Sequence, residues 1–185
     1  MGSDSRERMV RSAAALFATR GLTATSFSEV VEASGAPRGS IYHHFPEGKD
    51  QLAGEAVRWV TERVLEHQRS CPGSGAADVL AWFIAMWRTV VVSSSGASGC
   101  AVAGVALDAE AGDLLGVVRA SFRAWTGLLT EQLAAGGLGA DRARSIAVAA
   151  LAAMEGALIL CRAEGGTAPF DAVAAELMRL VEPGA

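Results

Sequence analysis

Residues 26–52, SFSEVVEASGAPRGSIYHHFPEGKDQL, constrain the fold of this chain more than any other stretch, because they punctuate two short helices within one compact unit. Ser26 followed three positions later by Glu29 is a capping box, in which each side chain satisfies a backbone donor that a helix start leaves orphaned. A helix therefore starts at Phe27, and Gly35 ends it by turning the chain in the left-handed conformation. Pro37 suits the first turn of a second helix, where its missing N–H costs nothing. Pro46 closes that helix, since the residue before a proline is pushed out of helical geometry. The pattern predicts a helix-turn-helix whose second helix covers residues 38–45, with Ile41 and Phe45 pointing inward to hold it.

The rest of the chain reads as helix too. Ala and Gly are abundant and Tyr and Ile scarce, which favours helices joined by glycine breaks over a β-sandwich built from β-branched and aromatic residues. A first helix is predicted over residues 4–20, with Met9, Ala13, Leu16 and Phe17 as its buried stripe. A connecting helix follows the helix-turn-helix over residues 49–68, with Leu52, Ala56, Trp59, Val60 and Val64 on one face, and Cys71, Pro72 and Gly73 then break the chain. Further helices are predicted over residues 76–92, through a short Ala-rich segment to Leu107, and over 112–135, 141–163 and 170–181. The glycine-rich AGGLGAD turn before Asp141 is the kind of cap pairing expected between antiparallel neighbours. This is an all-α fold of about nine helices, and at 51% hydrophobic its 185 residues bury a sizeable core. It divides into a helix-turn-helix domain over residues 1–48 and a larger helical domain over 49–185.

Several classes of protein fit poorly. Charged and apolar residues alternate with helical period at the N-terminus, which is not the order of a secretory signal, so a cytoplasmic location is expected. Cys71, Cys100 and Cys161 are too scattered for a disulfide framework or a Cys-x-x-Cys metal site. His43 and His44 are adjacent on a helix and point about 100° apart, so they do not chelate one ion. No metal or cofactor is expected. The longest apolar run, residues 146–160, carries Glu155 and falls short of the roughly 20 residues a membrane span needs. No Ser-His-Asp order, phosphate loop or paired carboxylate supports an enzyme. A thiol-based redox sensor using Cys100 or Cys161 is a rival reading that needs an accessible, low-pKa thiol, and neither residue has a flanking Lys or His, although Arg162 follows Cys161.

The segment GAPRGSIYHHFPEGKDQL, preceded by LFATRGLTATSFSEVVEASG and with the Ile41-Tyr42 pair, Phe45 and Lys49 in order, resembles the DNA-binding signature of TetR-type transcriptional regulators. Together with GCAVAGVALDAE at residues 99–110, YHHFPEGKDQLAGEAV further resembles the LmrA/YxaF-like branch. Ala36-Pro37 departs from the small hydroxylated or β-branched pair more usual there. The resemblance implies a ligand-responsive repressor: a three-helix DNA-reading head, then a helical domain for effector binding and dimerisation. Thr25, Ser26, Arg38, Gly39, Ser40, Tyr42, His43 and Lys49 are then the candidate contacts to double-stranded operator DNA, Thr25, Ser26 and Lys49 through phosphates at helix N-termini.

Charge tempers that implication. Residues 1–50 balance to zero, so the remaining chain carries the whole net charge of −4. A few Arg and Lys contacting phosphates give one subunit moderate affinity and call for two. The resemblance also implies a cavity for a small lipophilic or aromatic effector, with Trp82, Met86, Trp87, Cys100, Phe122, Trp125 and Met154 as lining candidates against the plainer reading of core filling. Asp108, Glu110 or Glu155 stands as the source of a polar contact. Residues 141–163 are apolar almost all round, which calls for burial on more than one side. With residues 170–181 they would form a four-helix homodimer interface through Ile146, Ala150, Met154, Leu158, Phe170 and Leu177.

Overall fold

The computed structural model describes residues 2–110 and 112–182. Among these, all regular structure is helical: α1 (Gly2–Arg20), α2 (Phe27–Ser34), α3 (Ser40–His44), α4 (Lys49–Arg69), α5 (Ala76–Ser93), α6 (Ala101–Asp108), α7 (Asp113–Ala135), α8 (Ala140–Glu164) and α9 (Ala168–Arg179). The chain groups into two compact units. One comprises residues up to Glu62 with Cys100–Ser121, the other Arg63–Gly99 with residues from Phe122 onward, so that α4 and α7 each contribute to both.

The first unit is organised around α1, against which α2, α3 and α6 pack. Met9, Ala13 and Phe17 are buried as their spacing predicts, joined by Val10 and Ala14, while Leu16 is half-buried. On α4 the buried face is rotated from the predicted one: Leu52, Ala53, Ala56 and Val57 are fully buried, whereas Trp59, Val60 and Val64 are half-exposed. The reason is a polar member of the stripe. Thr61 is buried and its hydroxyl meets that of Ser121 on α7 at 2.7 Å, so the inward face follows 53, 57, 61 and not the most apolar positions.

The turn after α1 is held from two sides. Asp108 Oδ2, at the end of α6, accepts from the Thr23 backbone N–H at 2.7 Å. Lys49 Nζ, at the start of α4, donates to the carbonyls of Leu22 (2.9 Å) and Thr25 (3.1 Å), with that of Thr23 at 3.4 Å. Gly104 brings α6 so close to α1 that a Cβ there would stand 2.3 Å from the Phe17 carbonyl oxygen, inside van der Waals contact with an atom that cannot swing away.

In the second unit, α8 and α9 pack on each other and both contact α5. Leu80, Phe83, Trp87 and Val91 of α5 face inward, as do Ala143, Ala147, Ala150, Met154, Leu158 and Cys161 of α8 and Phe170 and Leu177 of α9. Gln68, buried at the end of α4, exchanges amide hydrogen bonds with Gln132 of α7: its Nε2 donates to Gln132 Oε1 at 2.9 Å, and Gln132 Nε2 donates to the Gln68 carbonyl at 3.0 Å. α9 starts two residues before the predicted position because Pro169 fits its first turn. α5 and α8 are long and apolar enough to cross a membrane, which revises the reading of the 146–160 run as too short. In α8 close to half of the apolar window is buried in the chain's own core.

The Gly104 contact gives a direct test. Gly104→Val should lower stability by at least about 1–3 kcal/mol through overpacking, read as a drop in thermal midpoint. Gly127→Ala, mid-helix in α7 with open space where the Cβ would go, should leave it unchanged or raise it by about 0.5–1 kcal/mol.

Candidate nucleic-acid interface

The capping box forms at the start of α2. The Ser26 hydroxyl accepts from the Glu29 backbone N–H (3.3 Å), and Glu29 Oε2 accepts from the Ser26 backbone N–H (2.8 Å). The Glu29 carboxyl is held below the usual carboxylate range, first by the Ser26 backbone N–H, then by the Ser26 hydroxyl, with Arg20 adding attraction across from α1. Gly35 closes α2 at φ 62°, as its position predicts.

The second helix is shorter than predicted. Gly39 adopts φ 87°, a left-handed conformation that a side chain would strain, so residues 37–39 form a turn and α3 begins at Ser40. Ser40 N–H and its hydroxyl both donate to the Pro37 carbonyl, at 3.1 and 2.7 Å. Arg38 and Gly39 therefore sit on the turn in front of the helix, both exposed.

Ile41 and Phe45 are 1% exposed, which seats α3 on the unit's core, and Arg6 lies over the Phe45 ring at 5.4 Å. Tyr42 and His43 project outward, Tyr42 being 67% exposed with its ring against the edge of Phe27 at 5.5 Å. A tyrosine this exposed adds little to packing, and its hydroxyl is presented to whatever approaches. Around it, Arg8 and Arg20 are engaged by Asp4 and Glu29, and Arg6 by Glu55. Among the described residues no ion pair holds Arg38, so its guanidinium is the cation of this surface left available to a phosphate or a base edge.

The structure thus gathers Arg38, Gly39, Ser40, Tyr42 and His43 on one outward surface, with Ser26 exposed at the start of α2. Two other candidates are placed differently. Thr25 is 1% exposed and its hydroxyl donates to the Gly21 carbonyl at 2.8 Å, so that hydroxyl does not face outward. Lys49 directs its ammonium at the carbonyls after α1, an internal tie that the sequence pattern does not reveal because the carbonyls are main-chain atoms.

The effector candidates separate as well. Cys100 belongs to the first unit, at the N-cap of α6, whereas Trp82, Met86, Trp87, Phe122, Trp125 and Met154 lie in the second. Trp82 stacks on His67 at 4.6 Å with rings 3° from parallel, and its indole N–H donates to the His67 carbonyl at 2.8 Å, a structural bracket between α4 and α5. Met154 is wholly buried, and Met86 and Phe122 are half-buried. Cys161 is 0% exposed, which leaves its thiol without the access a redox sensor needs.

The candidate interface residues of α8 and α9 lie largely inward. Ile146, Ala150, Met154, Leu158, Phe170 and Leu177 are at most 5% exposed, because they pack inside this chain. The apolar side chains left outside are Val148 (54%), Ile159 (66%) and Leu160 (49%) of α8, with Leu180 (38%) just past α9. Val148, Ala152 and Ile159 share the helix face opposite the buried stripe. A shallow, mostly apolar groove lies alongside, lined by Ala153, Ala172, Val173, Glu176, Leu177 and Leu180, so the edge of Leu177 borders it.

Comparison with known proteins agrees with this geometry. Residues 10–56 match the family model for bacterial regulatory proteins of the TetR family, and residues 76–176 match that for the C-terminal domain of LmrA/YxaF-like transcriptional regulators. The chain is 37% identical over 185 residues to an HTH-type transcriptional regulator of Mycobacterium tuberculosis, covering 95% of this chain and 93% of that one. A TetR-family transcriptional regulator from Agrobacterium tumefaciens superposes with a TM-score of 0.86 at 22% identity, over 99% of this chain and 100% of that chain. A cysteine mutant of the TetR-family regulator CifR, solved with 26-bp double-strand operator DNA, shares the fold with a TM-score of 0.78 at 19% identity, over 95% and 96% of the two chains.

The lowered Glu29 pKa sets a pH dependence. Its charge contributes stability above the ordinary carboxylate range and loses it as pH falls through the depressed value. Glu29→Gln keeps an acceptor for the Ser26 N–H but removes the charge. The variant should melt below the wild type at neutral pH and converge with it in acid, as followed by circular dichroism.

Proposed function

Because this chain belongs to the TetR family of bacterial transcriptional regulators, we propose that it is a homodimeric repressor, released from its operator by a lipophilic or aromatic small molecule. The family makes it a DNA-binding transcriptional regulator, and the relatives it matches are regulators rather than enzymes. The observation that carries the reading is the surface at residues 38–43, where Arg38, Tyr42 and His43 project from a short helix whose Ile41 and Phe45 are buried. In this reading α3 enters the major groove, Arg38 meets a guanine edge or a phosphate, and Gly39 allows close backbone approach. Tyr42 offers its hydroxyl to a phosphate, Ser40 and Ser26 would do so by releasing the Pro37 carbonyl and the Glu29 carboxylate, and His43 reaches phosphate or base.

So few cations make one head a weak binder, and operators read by two heads place half-sites about 34–36 Å apart. We assign DNA reading to residues 1–48, and effector binding and dimerisation to residues 49–185. The second copy would cover the outer face of α8 and the adjoining α9, where Val148, Ile159, Leu160 and Leu180 are exposed. An isologous pairing of α8 and α9 with their counterparts would bury these exposed apolar side chains. The effector would bind in the C-terminal helices among Trp82, Met86, Trp87, Phe122, Trp125 and Met154. Its binding would favour a spacing of the two heads that DNA does not, acting through α4, which belongs partly to each unit. Operator must then weaken effector binding by the same factor. Such a protein works in the cytoplasm, where its operator is.

Selecting duplexes from a random pool with the purified protein tests the DNA reading, and failure to enrich any sequence overturns it. On the selected duplex, Arg38→Ala should weaken binding by about 1–3 kcal/mol without changing the melting temperature. Sedimentation separates the two faces of α8: Ile159→Arg should yield folded monomers, whereas Leu158→Arg, pointing into the chain's own core, should unfold it.

A further inference from the structure

Four rings of the second unit form a continuous edge-to-face series. Phe83 and Trp87 are 6.1 Å apart at 67°, Trp87 and Trp125 6.4 Å at 81°, and Phe122 and Trp125 5.7 Å at 79°. Trp87 sits in the middle at 4% exposure, and its indole Nε1 is removed from solvent with no hydrogen-bond partner among the described residues. An indole nitrogen can only donate, so this group gives up its hydration and receives nothing in return. Trp82, on the same helix, shows the usual arrangement, with its indole N–H on the His67 carbonyl. Packing alone does not call for an indole at position 87, because phenylalanine offers an aromatic face without a donor to bury.

We propose that Trp87 sets the specificity of the effector site: its indole N–H donates to an uncharged oxygen acceptor on an aromatic compound that stacks among Phe83, Phe122 and Trp125. The inference rests on the effector reading above and narrows it. The compound must carry a flat apolar body to replace ring contacts and at least one lone pair, of carbonyl or ether type, held against that body at the height of Trp87. A pure hydrocarbon of the same shape would leave the donor unmatched, and a cation is disfavoured because the group facing it is itself a donor. In a dry site the matched donor discriminates more strongly than an exposed one, since the alternative is an orphaned polar group on the protein.

The test compares two probes of nearly identical shape, acetylnaphthalene and ethylnaphthalene, by equilibrium dialysis against the full-length protein. The ketone should bind wild type about 5- to 10-fold more tightly than the hydrocarbon, the range a single buried hydrogen bond supplies. Trp87→Phe should erase that preference by weakening the ketone alone, and its thermal midpoint without ligand should equal or exceed that of wild type. A second measurement needs no variant for its readout: the Trp87 indole N–H resonance, identified by its absence in Trp87→Phe, should move downfield with the ketone and not with the hydrocarbon. Equal affinities in wild type, an equal loss for both probes in the variant, or an unmoved resonance overturns the role of Trp87 while leaving a small-molecule site standing. Failure of both probes to bind wild type overturns the effector reading and this inference together.

Discussion

A helix of five residues cannot sustain itself in water, because it makes too few hydrogen bonds to offset the cost of its nucleus. α3 persists only because Ile41 and Phe45 are buried beneath it and Gly39 and Gly35 set the turns that deliver the chain to it. The outward surface of Arg38, Tyr42 and His43 is thus a product of its inward side. α1 supplies the floor, and α6 and α4 hold the turn at residues 21–25 through the Asp108 carboxylate and the Lys49 ammonium. Charge is used here for position: the hydrogen bonds run to main-chain atoms, whose places are fixed, so the partners do not have to be ordered first.

Polar residues in the core follow the same logic. Thr61 with Ser121 is a buried pair that satisfies itself, while Gln68 is tied to the half-buried Gln132 through its Nε2 and its main-chain carbonyl, with its own Oε1 left without a partner among the described residues. A satisfied polar pair adds little net stability, but sliding either helix by one residue would orphan both members, so the register is fixed more sharply than by methyl groups alone. Trp87 is the instructive contrast: a buried donor with apolar neighbours, in the region where an effector is proposed to sit.

α8 serves two surfaces. Its small residues Ala143, Ala147 and Ala150 let neighbouring backbones approach inside the chain, while Val148, Ile159 and Leu160 remain outside. Such a helix carries apolar residues around its whole circumference for two separate reasons, and composition does not tell them apart. The candidate interface residues Ile146, Ala150, Met154 and Leu158 lie on the stripe that faces the chain's own core.

The sequence by itself determined the helical class, nearly every helix and its punctuation, the capping box, and the inward placing of Ile41 and Phe45. These are local properties: spacing, caps and the restrictions of Gly and Pro act over a few residues and need no partner. Tertiary structure decided which face of each helix is used. It turned α4 toward Thr61, drew Lys49 to main-chain carbonyls, buried Thr25, shortened α3 at Gly39, and divided α8 between core and surface. The turning of α4 and the placing of Lys49 depend on atoms far away in sequence, for Lys49 carbonyl oxygens common to every residue type, and no pattern of side chains along one helix can encode where such an atom will stand; the start of α3 is set nearby, by Gly39 itself.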